Sequence, residues 1–123
     1  MTEKEVFIEK MKKRTKKFAV DVILFCNSLE TSKVSSVITS QLVKSATSTG
    51  VNYRAACQAR SKNEFFSKVC IVVEEIDESE YWLEVIKDVN LSNETVELQR
   101  LLDESIEITK IMSKAKSSTY TSK

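Results

Sequence analysis

Apolar residues recur at alternating spacings of three and four along most of the chain, and the longest unbroken run is Phe65, Val69, Val72, Ile76, Leu83 and Ile86, with Ser79 filling the one gap. That spacing predicts an amphipathic helix over about 62–89. A first helix over about 3–27 follows from Phe7, Met11, Phe18, Val22, Phe25 and Leu29, with Thr15 in its gap. A fourth, over about 93–115, follows from Leu98, Leu101, Leu102, Ser105, Ile108, Thr109 and Met112. The second helix, about 33–59, differs in character. Val34, Ile38, Gln41, Ser45, Ser48, Asn52, Ala55 and Ala59 share one face, and its middle is small and polar. Small residues let helices approach closely, and a buried Asn52 or Gln41 then needs a hydrogen-bond partner on a neighbouring helix. Gly50 sits in mid-helix at a cost of roughly 1 kcal/mol relative to Ala, which close packing or a slight kink explains.

The connections are short and carry start signals. Thr31 or Ser32 is placed to cap the second helix, Ser61 with Glu64 reads as a capping box for the third, and Ser92 or Asn93 is placed to cap the fourth. Four helices with short links predict an all-α, antiparallel up-down-up-down four-helix bundle over residues 1–116, with a structureless tail over 117–123. The length of 123 residues, with no proline and one glycine, agrees with a single, nearly all-helical domain.

Charge changes the picture more than composition does. The net charge is +1, so the total makes no case for a polyanionic partner. Its distribution does. Lys10, Lys12, Lys13, Arg14, Lys16 and Lys17 crowd the first helix, away from its apolar stripe. Such a run is either a solvated face or a phosphate-binding surface. Residues 31–63 contain Lys33, Lys44, Arg54, Arg60 and Lys62 and no acid, whereas 64–88 contain Glu64, Glu74, Glu75, Asp77, Glu78, Glu80, Glu84 and Asp88 against Lys68 and Lys87. Opposite charge favours pairing of these two helices, within a subunit or across one, and salt bridges between them are expected.

The third helix also carries a second apolar stripe, Ile71, Trp82, Val85 and Val89, with Glu78 between them. One small bundle cannot bury both stripes. The second is therefore a subunit interface, or it is covered by loops or the tail.

Catalytic chemistry finds little to stand on. The chain has no histidine, the commonest general base and metal ligand, and no phosphate-loop, dinucleotide or nucleophile-elbow pattern. The carboxylates of residues 74–84 have the spacing of metal ligands in a bundle but lack the Glu-x-x-His that carboxylate-bridged di-iron sites use. No catalytic residue, metal or cofactor is expected. Cys26, Cys57 and Cys70 are far apart and odd in number, which fits small buried thiols rather than a disulfide framework. No apolar run approaches the ~18 residues that span a bilayer, and the charged start lacks an export signal, so a cytoplasmic protein with no membrane partner is expected.

Several stretches resemble a known family. Ser45-Ala46-Thr47-Ser48, Gly50, Asn52-Tyr53-Arg54-Ala55, Ala59-Arg60-Ser61, Glu64-Phe65, Lys68 and Tyr81-Trp82-Leu83 are similar to the four-helix-bundle proteins encoded in 23S rRNA intervening sequences. The resemblance covers most of the chain and is densest over 41–83. It departs at Leu29-Glu30, where the family usually has Leu-Pro, and at Lys44, where it often has Arg. The resemblance implies a homopentameric ring of undefined biochemical role. The related accessory variability proteins of diversity-generating retroelements resemble this family in fold and pentameric form, and bind nucleic acid and a reverse transcriptase through a basic surface. A pentamer needs a heterologous interface. Its candidates here are Ile71, Trp82 and Val85 as an apolar donor face, Asn52, and pairing of Glu74, Asp77 or Glu78 with Arg54 or Arg60 of a neighbour. Two functional expectations stand: a non-enzymatic pentamer binding RNA or a ribonucleoprotein through the basic first helix, or a pentameric scaffold docking a protein partner.

Overall fold

A helix starts where a side chain can take up the free amides of its first turn. In the computed structural model, which describes residues 1–121, Thr2 does so for α1 (Glu3–Asn27): its hydroxyl accepts from the Glu5 amide, and the Glu5 carboxylate accepts from the Thr2 amide. Ser32 does so for α2 (Lys33–Cys57), with Ser35 as its reciprocal partner. Ser61 caps α3 (Lys62–Asp88) through the Glu64 amide, but the expected box is split. The Glu64 carboxylate instead accepts from the Arg60 amide at 2.7 Å, one residue outside the cap. For α4 (Thr95–Ser118), neither expected cap is used: Glu94 stands at the N-cap without a side-chain bond, and the Ser92 hydroxyl accepts from the Glu94 amide.

The helix ends differ from expectation by one to three residues for local reasons. After Cys57 the amides of Gln58 and Ala59 turn back to carbonyls three residues earlier, at 3.1 and 3.0 Å, which tightens and stops α2. α3 stops at Asp88 because Asn90 takes a left-handed φ of 54°. Its amide bonds the Lys87 carbonyl and that of Leu91 bonds the Ile86 carbonyl, the paired closure that a left-handed residue permits. α4 continues to Ser118, into the segment expected to be structureless. Beyond it, Tyr120 packs on the Phe66 ring at 5.4 Å and its hydroxyl donates to Asn63. Residues 122 and 123 of that expected tail lie outside the described residues.

Each helix packs against its neighbours in chain order, and α1 closes on α4; the backbones of α1 and α3, and of α2 and α4, stand apart across the core. The core is all apolar side chains from the four inward faces, among them Phe18, Leu42, Ile76, Leu83, Leu101 and Ile108. The seams expected on α3 and α4 are the ones buried, except that Phe65 and Thr109 are half-buried. On α1 the expected seam holds from Met11 to Phe25, but Phe7 is 44% exposed and Leu29 half-buried. On α2 the inward face is rotated by about one residue. Val34 is exposed and Gln41, Ser48, Asn52, Ala55 and Ala59 are only half-buried, while Leu42, Ala46, Thr49, Tyr53 and Ala56 point in with Ile38 and Ser45. Bulk decides this: Leu42 and Tyr53 remove more apolar area from water than Gln41 and Asn52 would.

Near the middle of each helix stands a buried hydroxyl: Thr15, Ser45 with Thr49, Ser79 and Ser105. Thr15, Thr49 and Ser105 donate to a carbonyl of their own helix three or four residues back, at 2.7 to 2.9 Å, and Ser45 and Ser79 lie 3.1 and 3.0 Å from such carbonyls, one of the two donating to its carbonyl and the other to its partner serine. Among the described residues no buried side-chain nitrogen or oxygen lacks a partner. Ser45 and Ser79 also bond each other at 2.8 Å across the α2–α3 contact. That bond stands where salt bridges were expected: among the described residues no ion pair joins α2 to α3, because the side chains that face each other there are short and neutral. The ion pairs between helices lie instead on α1–α4. Arg14 holds Glu104 through two bonds of 2.7 and 2.8 Å, and Arg100 reaches Asp21 at 2.9 Å.

Gly50 lies in an unbroken α2, so neither a break nor close packing requires it. A Cβ added there would meet the Thr15 hydroxyl at 3.5 Å and the Thr15 carbonyl carbon and oxygen at 3.6 Å, ordinary contact distances. Gly50→Ala is therefore expected to fit without displacement and to stabilise the fold by about 0.5–1 kcal/mol through helix propensity. A urea midpoint that falls instead would mean that α1 and α2 approach more tightly there.

A second expectation concerns acid. Burial works against ionisation of Asp21, but hydrogen bonds from Lys17 and Arg100 outweigh it and hold the carboxyl below its ordinary 3.8. With the folded value depressed, the stabilisation is complete above 3.8 and is lost as pH falls through the lower folded value. Asp21→Asn should lower stability at neutral pH by ~1 kcal/mol and flatten its decline between about pH 5 and pH 2. Urea titrations of both proteins over that range measure the difference.

Candidate nucleic-acid and subunit interfaces

The basic run of α1 divides into two sets. Arg14 turns toward α4, where the bidentate bond to Glu104 keeps its guanidinium still more firmly cationic and leaves little of it for another anion. Lys12 lies 3.5 Å from Glu9, and Lys17 lies 2.7 Å from Asp21 with its side chain still largely exposed. Lys10, Lys13 and Lys16 are exposed and have no carboxylate within 4.0 Å among the described residues. With Lys17 they cover the outward face, opposite Met11, Thr15 and Phe18. The six residues are thus brought onto one helix, and four present their charge to solvent.

The residues expected at a subunit interface are distributed differently. Trp82 is not an exposed ring: it and Val85 are half-buried and pack on the core. The Trp82 indole N–H donates to the Glu78 carboxylate one turn earlier at 3.1 Å, and its ring meets Tyr81 edge-on at 5.1 Å. Ile71 is half-buried and Val89 exposed. Asn52 satisfies its amide on Ser48 of its own helix, at 2.9 Å to both backbone and hydroxyl oxygens, not on a neighbouring helix as expected. Arg60 reaches Glu64 at 3.6 Å with 90% of its side chain exposed, and Arg54 is exposed without an ion pair. Glu74 and Asp77 are exposed without a cation within 4.0 Å among the described residues.

Crowding on α3 leaves a trace in its titration. Glu75 is pushed upward by partial burial and by the charges of Glu78 and Glu74, against a weaker opposing pull from Lys44. Glu80 is pushed upward by partial burial and by Glu84 and Asp77. This face repels itself, and an outside cation would relieve it.

Two features escaped sequence reasoning. Val20, Ile23 and Leu24 continue the outward face of α1 beyond its lysines, with Leu24 62% exposed, and Val34, Val37 and Val51 stand exposed on α2. A signal existed for the first set: Val22, Ile23, Leu24 and Phe25 are consecutive, and a helix can bury only one side of such a run. The ion pairs between α1 and α4 had no signal, since periodicity says nothing of which outward charges meet.

The described residues hold no cluster of three or more metal-ligating side chains, and no helix among them is long and apolar enough to cross a membrane. None of the curated proteins matches the chain. A solved structure of a protein of unknown function, from the S23 ribosomal protein family of Bacteroides thetaiotaomicron, is similar at 30% identity with a TM-score of 0.77, over 85% of this chain and 96% of that one. Residues 9–114 match the family described as 23S rRNA-intervening sequence protein, and with that match over most of its length the chain belongs to this family.

Proposed function

We propose that this protein is a non-enzymatic, cytoplasmic assembly protein: an antiparallel up-down-up-down bundle that closes into a homopentameric ring and binds RNA or a ribonucleoprotein through the outward face of α1. The observation that carries the nucleic-acid reading is the set Lys10, Lys13 and Lys16, exposed and unneutralised on a chain whose net charge is only +1. Repetition around a ring turns a few phosphate contacts per chain into avidity. The family's description refers to 23S rRNA, which makes RNA the first polymer to test.

Alternating helix direction is supported by the ion pairs of α1 and α4, where the earlier residue of one, Arg14, meets the later residue of the other, Glu104, and Asp21 meets Arg100. Assembly is supported by two surfaces of opposite sign that form no ion pair with one another among the described residues: the carboxylates of α3, and Lys33, Lys44 and Arg54 of α2. Facing one another across a heterologous contact, they would neutralise both. The same acidic face, together with the exposed apolar residues of α1 and α2, favours the second reading, a pentameric scaffold that docks a protein partner.

Multi-angle light scattering with and without a generic RNA tests both. The expected result is a mass near five chains and RNA co-elution at low salt that disappears as salt rises, with a slope of about −0.7 per phosphate contacted on single strands. The triple variant Lys10→Glu, Lys13→Glu, Lys16→Glu should keep the mass and lose the RNA. Glu74→Lys with Asp77→Lys should lower the mass, and Arg54→Glu on the same background should restore part of it. A ring that ignores RNA at low salt would turn the assignment to the protein-partner scaffold, and a monomer would remove both.

A further inference from the structure

One end of the bundle is not filled. The first turns of α1 and α3 and the last turns of α2 and α4 surround a half-open cavity of about 600 Å³, inside the ~300–1,000 Å³ range of small-molecule sites. It exists because the side chains that meet there are mismatched. Ala56 and Ala115 present only methyl groups to a space that Phe7 and Phe65 also line, and the apolar seam of α1 runs on past the point where the core closes. That leaves Phe7 exposed although it continues the buried stripe of Met11 and Phe18. The floor is apolar, with Ile8 and Met112 beside these rings.

The mouth is cationic. Lys4, Arg60 and Lys62 line it, and among the described residues no carboxylate does. Lys4 and Lys62 have no acid within 4.0 Å among the described residues, and Arg60 is only loosely held by Glu64, whose carboxylate also accepts from the Arg60 amide. Two helices start and two end at this mouth, so their dipoles oppose and the positive charge comes from the side chains. Cys57 adds no negative charge, since burial pushes its thiol upward and keeps it neutral.

An apolar floor beneath three cations fits one class of ligand, and we propose that this cavity binds a single-chain amphipathic carboxylate, the hydrocarbon between Phe7, Phe65 and Met112 and the head group among Lys4, Arg60 and Lys62. The inference is independent of the ring and of RNA binding by α1.

Titration calorimetry of the full chain with laurate, below its critical micelle concentration, tests it, with dodecanol as the control for the tail alone and acetate for the head group alone. Saturable binding of one laurate per chain is expected, with dodecanol at least roughly tenfold weaker and acetate silent, because both the tail and the charge contribute. Ala115→Leu, which fills the cavity from its edge, should abolish binding. Lys4→Glu with Arg60→Glu and Lys62→Glu, all on the surface, should weaken it roughly tenfold or more and make dodecanol the better ligand. Circular dichroism should show both variants as helical as the parent. No binding to the parent, unsaturable uptake, or laurate binding unchanged in both variants would overturn the assignment.

Discussion

Everything else in this bundle depends on how closely its helices can approach at mid-height. Large apolar residues at every inward position would hold the axes apart, and larger polar ones would demand partners that a dry core lacks. Thr15, Ser45, Thr49, Ser79 and Ser105 solve both problems, being short and able to return their hydroxyl bond to their own helix backbone. The core can then be narrow in the middle without an unsatisfied group. Gly50 against Thr15 and the Ser45–Ser79 bond are the two places where that narrowness is measurable. The bulky residues, Phe18, Leu42, Leu83 and Leu101 among them, fill the space on either side.

Charge is spent in a different place from where sequence reasoning puts it. The acidic and basic helices, α3 and α2, share the most extensive contact in the molecule, and it is neutral. The charges that do pair are on α1 and α4, the least extensive contact, where Arg14–Glu104 and Asp21–Arg100 tie the two helices across its surface. The opposite charges of α2 and α3 are thereby left on the outside. Surface pairs of this kind add little to the stability of one chain, whereas unpaired faces of opposite sign govern what a chain meets.

Much of the fold was legible because periodicity is set by burial alone: four helices, the seams of α3 and α4 and the Ser32 cap all follow from single-helix rules. The rotation of α2 was not, because several candidate faces there are equally small and polar, and only the bulk of Leu42 and Tyr53 seen against the other helices chooses between them. Phe7 failed for a related reason, since its helix keeps the pattern while Ala56 and Ala115, which line the same space, present only methyl groups to it. The basic run was legible as a run. That Arg14 leaves it for Glu104 was not, because a partner 90 positions away has no local signature. Trp82 was placed on a second stripe that the bundle itself could not bury, yet a ring so wide can lean onto the core and still reach Glu78 with its N–H.

The order in which the helices touch has a consequence for how the chain comes together. α1 on α2, α2 on α3 and α3 on α4 are contacts between consecutive helices across short turns, which low loop entropy makes quick to form. Only α1 on α4 joins the two ends, through residues 79 and 90 positions apart, and it is the least extensive contact. Three hairpins can therefore form in sequence with one closing step left for last. The seam whose backbones approach least, tied by ion pairs across its surface, is the one along which local opening of the bundle breaks the fewest close helix contacts.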